Sequence, residues 1–185
     1  MTHRDALHRD ALHDDAVHDD ALQDGALHDD ALHEEGEEEP AEHLRFWDYL
    51  SRLEQVTEAD EVDLVSEVLT DPDQAMAQSA VVRHLDRRAA DLHPGPAYEP
   101  WAERMSRATT RHPFLARRLH EWSLYRAVRL RRSWSPDALL ASSDWLQLLT
   151  AAAPNAAALE ILADRGRTKR IRNAARAGLK QPGRR

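Results

Sequence analysis

The stretch Asn155 to Leu179, NAAALEILADRGRTKRIRNAARAGL, admits one local structure: two short helices with a hard stop between them. Leu159, Ile161 and Leu162 line the first, and Gly166 sits where a left-handed residue would close it. Thr168 can cap the second, whose Ile171, Ala174, Ala175 and Leu179 recur at i, i+3, i+4 and i+8. The Ala pair lets a neighbouring helix approach closely, while the Arg and Lys side chains fall on other faces.

The preceding hundred or so residues repeat this grammar of short apolar runs and helix stops. Phe46, Trp47, Leu50 and Leu53 fall at helical spacing, up to about Gln55. Thr57 then reads as an N-cap with Asp60 at the capping-box distance, ahead of Val62, Val65 and Leu69. Asp71-Pro72 restarts the chain, with Asp as cap and Pro at the first helical position, for a helix carrying Met76, Ala80, Val81, Leu85 and Ala89. After His93-Pro94-Gly95-Pro96 come a helix near Glu99-Pro100 with Trp101, Met105 and Ala108, and one from Pro113 to about Arg131. The latter carries Leu115, Leu119, Trp122 and Tyr125. Ser135-Pro136 opens a further segment with Leu139, Leu140, Trp145, Leu146 and Leu149, closed by Pro154. Nothing alternates with period two for long enough to be a strand. The expectation is all-α: seven or eight short helices, joined tightly enough that neighbours are antiparallel hairpins.

The helix from Thr168 resembles the second helix of a HEAT repeat in its Ile171-Arg172, Ala174-Ala175 and Leu179. The resemblance covers residues 155–179 and implies a HEAT-like solenoid, an architecture with no activity attached.

Residues 1–40 read differently. From Ala6 to Glu35 the chain repeats ALHRD, ALHDD, AVHDD, ALQDG, ALHDD, ALHEE. Each residue of a helix turns about 100°, so a period of five moves each Leu about 140° around and builds no stripe. In a strand an odd period sends successive Leu to opposite faces. A pentapeptide β-helix would bury the Asp positions. The expectation is a disordered acidic tail over 1–40 and a helical domain over 41–185.

Charge is divided along the same line. Residues 1–40 hold 14 acids and 2 Arg, whereas residues 41–185 hold 23 bases and 19 acids. Arg165 to Arg185 contains nine bases and no acid. Arg165, Arg167, Lys169, Arg170, Arg172 and Arg176, with Arg129, Arg131 and Arg132, are therefore the candidate contacts for an anionic partner. Arg126 belongs to the same second run. A flexible 40-residue tail reaches roughly 35 Å, enough to compete for the basic end.

The remaining chemistry is thin. His3, His8, His13, His18, His28 and His33 are imidazoles among carboxylates, but a spacing of five does not converge, so divalent metal is held only weakly. His120-Glu121 lacks the second His at i+4 that a zinc helix needs, and His112 stands apart from it. The carboxylates Asp71 and Asp73 read as helix-start charges. No nucleophile elbow, P-loop or dinucleotide fingerprint is present, so no catalytic residue, metal site or cofactor is assigned. With no Cys and no run of roughly 18 apolar residues, a cytoplasmic protein outside the membrane is expected. Trp47, Trp101, Trp122 and Trp145 read as core, and Trp134 as an anchor or a loop plug. The functional expectation is a non-enzymatic protein–protein interaction or scaffold module. The alternative is weak, sequence-nonspecific nucleic-acid binding modulated by the acidic tail.

Overall fold

A computed structural model describes residues 41–180. The pentad segment and its histidines, and the last five residues, lie outside that range. Among the described residues there are nine helices and no strand. They are α1 (Ala41–Gln55), α2 (Glu61–Val68), α3 (Gln74–Leu92), α4 (Tyr98–Ala108) and α5 (Pro113–Arg129). After these come α6 (Pro136–Ala141), α7 (Asp144–Ala151), α8 (Ala156–Arg165) and α9 (Lys169–Leu179). None is long and apolar enough to cross a membrane.

The helices start where side chains can satisfy the first free N–H groups. Asp73, Ser135, Ser143, Asn155 and Thr168 each accept a backbone N–H three residues on. Two expected caps move. Thr57 does not cap α2; its hydroxyl donates to Asp60 at 2.6 Å, and the helix begins at Glu61. Asp71 does not cap α3 either. Its carboxylate accepts the Tyr49 hydroxyl and the Asp73 N–H, both at 2.8 Å, which ties α1 to the α2–α3 connector. The segment from Ser135 to Pro154 forms two helices, because Ser143 starts α7 afresh.

Gly166 corrects the sequence reading in another way. Its φ of −55° is not left-handed. A Cβ there would lie 2.5 Å from the Leu162 carbonyl oxygen and 2.7 Å from Ile171 Cγ2, so glycine is required by the close approach of α8 and α9. The left-handed residue is instead Arg131, with φ 53°. It follows the C-cap Leu130, and Arg132 N–H returns to the Ala127 carbonyl at 2.9 Å. This is a Schellman closure built without glycine.

Packing follows chain order with a skip of one. α1 packs on α3, α3 on α5, α5 on α7 and α7 on α9, while α2 packs on α4 and α6 on α8. Sequential neighbours also touch from α1 through α5 and from α6 through α9. The buried side chains include Leu53, Val65, Leu85, Trp101, Met105, Leu119, Leu146, Leu162 and Ile171. Full burial of an aliphatic or aromatic side chain contributes about 1.5–3 kcal/mol. Ala77, Ala80 and Ala89 allow α3 to sit in the middle of this arrangement with neighbours close on several sides.

The tryptophans divide. Trp101 and Trp122 are buried, and Trp145 and Trp134 are half-buried against the core, the latter as a plug in the α5–α6 connector. Trp47 is 58% exposed, which overturns its assignment to the core. It sits at the flank of the α1 face defined by Phe46, Tyr49, Leu50 and Leu53, and no described helix covers that side.

Candidate functional site

Three arrangements bear on function among the polar groups of the described residues, and two of them are structural. The first is a buried acid. Glu61 shares a face of α2 with Val65 and Val68 and is 1% exposed. Its Oε1 accepts from His84 Nε2 at 2.8 Å, Arg88 Nε at 3.0 Å and Trp101 Nε1 at 3.0 Å. Burial pushes this carboxyl up, but the bonds from His84, Arg88 and Trp101 outweigh it and hold the pKa down at about 2. Glu61 is therefore an anion that joins α2, α3 and α4, with no proton to exchange near neutrality.

His84 lines a cavity of about 210 Å³ between α1 and α3, together with Leu50, Leu53, Ala80, Arg83 and Arg87. Arg87 Nη2 donates to the Leu53 carbonyl at 2.7 Å and stands 3.4 Å from His84 Nδ1. Both ring nitrogens of His84 are thus engaged, and the one carboxylate on the lining, Glu54, faces Arg87 at 3.7 Å.

The second arrangement explains the His-Glu pair of α5. Glu121, 4% exposed, accepts the Ser143 N–H at 2.7 Å, the Ser143 hydroxyl at 2.8 Å and Arg117 Nε at 3.2 Å. It fixes the break between α6 and α7. Among the described residues no group of three His, Asp or Glu side chains can hold a metal ion.

The third is the set of basic side chains, which the fold scatters. Arg126 is buried and fully engaged: Nε donates to the His93 carbonyl, Nη2 to the Gly95 carbonyl and Nη1 to Glu99, at 2.8, 2.9 and 2.6 Å. Arg132 also donates to Glu99, at 2.6 Å. Arg129 and Arg131 are exposed. Asn155 donates to the Val128 carbonyl at 2.7 Å, so this group lies at the N-terminal end of α8. Arg165 lies at the other end of α8, roughly 15 Å along the axis.

Near Arg165, Arg167 is tied to the Ser142 carbonyl at 2.6 Å and to Asp144 at 3.4 Å, and Arg172 to the Gly166 carbonyl at 2.7 Å. Lys169, Arg170, Arg176 and Lys180 face outward on α9. Lys180 belongs to the same basic run of the sequence and stands at i+4 from Arg176.

Sequence reasoning also missed an apolar feature. Leu44 is 57% exposed and Trp47 58%, one turn apart on α1. The Phe46 ring, half-buried, meets Trp47 edge-on at 5.9 Å and carries the Arg83 guanidinium at 5.3 Å. The signal was available in the register: Leu44 stands about 180° around the helix from Leu53. No family model, curated protein or solved structure matches the chain.

Proposed function

We propose that the protein is a non-enzymatic protein–protein interaction module whose helices stack as a small HEAT-like solenoid. The skip-one packing of α1, α3, α5, α7 and α9 supports the solenoid reading, since repeat hairpins contact their like elements in series. The observation that carries the function is the Leu44–Trp47 pair. Large apolar side chains of this kind, placed side by side on an outward face, anchor protein interfaces, where Trp is among the strongest contributors. Neither residue belongs to the buried core.

The test is affinity capture from host lysate with wild-type protein and with Leu44→Ser/Trp47→Ser, each with and without nuclease. A protein retained by wild type, insensitive to nuclease and lost with the double variant is expected. Equal retention by the variant, or loss on nuclease treatment, refutes the reading.

A further inference from the structure

From Arg45 to Arg132 most arginines of this protein meet a carboxylate. Arg45 faces Asp71, Arg52 faces Glu67, Arg88 faces Glu61, Arg104 faces Glu58, Arg118 faces Asp86 and Arg126 faces Glu99. The last helix departs from this. Lys169, Arg170 and Lys180 are exposed, and among the described residues none has an ion-pair partner. Among the described residues Arg176 meets only the Asn173 side-chain oxygen, at 3.3 Å. The sequence explains the deficit, since no acid follows Asp164.

These cations are aligned. At about 100° per residue, Lys169, Asn173, Arg176 and Lys180 fall within an arc of roughly 60° on the side of α9 away from buried Ile171 and Ala175. Arg170 flanks them. The fold gains little from the arrangement. Lys169 and Arg170 occupy the first turn, where the helix dipole is already positive and acids are absent. Arg176 and Lys180 sit at the C-terminal end, where the dipole favours cations, but they are like charges at i, i+4. Both lysines of a chain otherwise built with arginine lie on this stripe.

We infer that the outward face of α9 is a docking surface for the phosphodiester backbone of nucleic acid, independent of the α1 face proposed above. The stripe spans roughly 16 Å along the helix axis. Over that length one strand of duplex DNA carries about five phosphates. An acidic peptide would match this density only if nearly every residue were acidic. A protein partner also needs an apolar anchor, and the stripe itself presents none; Leu179, 41% exposed, lies off its axis. Contacts from these cations to the phosphate backbone carry no sequence preference. The net charge of −8 opposes approach from a distance, while the phosphate contacts themselves are strongest at low ionic strength, where counterion release favours them.

The experiment uses the full-length protein and a short labelled duplex of arbitrary sequence, with anisotropy followed as salt is raised. Binding at low salt is expected, with log K falling against log salt at a slope of roughly −3 to −4 for about four phosphate contacts. Lys169→Glu/Arg176→Glu/Lys180→Glu should weaken binding more than about tenfold while the circular dichroism remains helical. Arg107→Glu/Arg111→Glu, an exposed charge swap on and just beyond the end of α4, should weaken it far less. Should the triple swap disturb folding, Lys169→Gln/Lys180→Gln should still lower the slope by about two. Absence of binding at low salt overturns the inference. So does a triple swap that folds and binds like wild type, or a polyglutamate peptide that competes as strongly as unlabelled duplex.

Discussion

Trp101 and Glu61, 40 residues apart, meet inside the core, where the indole Nε1 donates to Oε1 at 3.0 Å. His84 and Arg88 close on the same oxygen from α3. An ionised carboxylate out of water is stable only with such partners, and once it has them, removing the charge strands the donors.

Glu61→Gln is therefore expected to destabilise the fold by about 3 kcal/mol. The amide keeps one acceptor but loses the charge that His84 and Arg88 face. Urea unfolding followed by circular dichroism measures it. A loss below about 0.5 kcal/mol would show that the three donors find other partners.

The same carboxylate sets an acid limit. Its pKa is about 2 in the folded protein against an ordinary 4.5, so its stabilisation is complete above about pH 4.5 and is lost as pH falls towards 2. The size is again about 3 kcal/mol. The Asp71 carboxyl, held down by the Asp73 N–H and the Tyr49 hydroxyl, acts in the same direction. Asp86, pushed up by burial, acts in the opposite one. Stability measured at pH 6 and pH 3 should fall for wild type and fall less for Glu61→Gln. Parallel losses would assign the acid sensitivity to other groups.

Arg126 offers a test of geometry over charge. Its guanidinium serves two carbonyls of the α3–α4 connector and Glu99, and lies over the Tyr98 ring at 5.3 Å. A lysine keeps the charge and cannot reproduce the planar fork. Arg126→Lys should destabilise by about 2 kcal/mol. A thermal midpoint unchanged from wild type would mean that charge alone suffices there.

Helix content was legible because apolar spacing and stop signals repeat through the body: α3, α4, α5, α8 and α9 begin within a few residues of their sequence positions. Burial of polar residues was not. Glu61 stands in a run with Glu58, Asp60 and Asp63 that looks uniformly like solvated helix-start charge, and only its register with Val65 and Val68 separates it. Trp47 failed for the complementary reason. Helical spacing places a residue on a face, but whether another helix covers that face is a matter of tertiary arrangement. Arg126 and Arg167 read as surface cations for want of any local sign that backbone carbonyls would converge on them. Of the basic candidates, Lys169 and Arg176 stand on one face of α9 with Arg170 at its flank, and Arg129, Arg131 and Arg132 stand elsewhere.

Gly166 separates two reasons for a glycine. If a left-handed backbone were needed, asparagine would be better tolerated than alanine. With φ −55° and a Cβ position 2.5 Å from the Leu162 carbonyl oxygen, any side chain collides. Gly166→Ala and Gly166→Asn should both destabilise, by about 1–3 kcal/mol, with asparagine no better than alanine. Recovery of stability by asparagine in urea unfolding would restore the left-handed explanation.

Arg131 is the converse case. A side chain at φ 53° crowds its own backbone, a strain of about 1–2 kcal/mol that glycine does not have. Glycine returns part of this through its greater freedom in the unfolded chain. Arg131 is exposed, so its replacement removes no packing. Arg131→Gly should stabilise the protein by up to about 1 kcal/mol, whereas Arg131→Val, branched at Cβ, should destabilise it. Thermal unfolding of the two variants beside wild type gives the order directly. The α9 surface makes a second demand on the same variant: duplex affinity at low salt should change far less than in Lys169→Glu/Arg176→Glu/Lys180→Glu. A comparable loss from Arg131→Gly would move the phosphate contact to the end of α5 and away from the stripe.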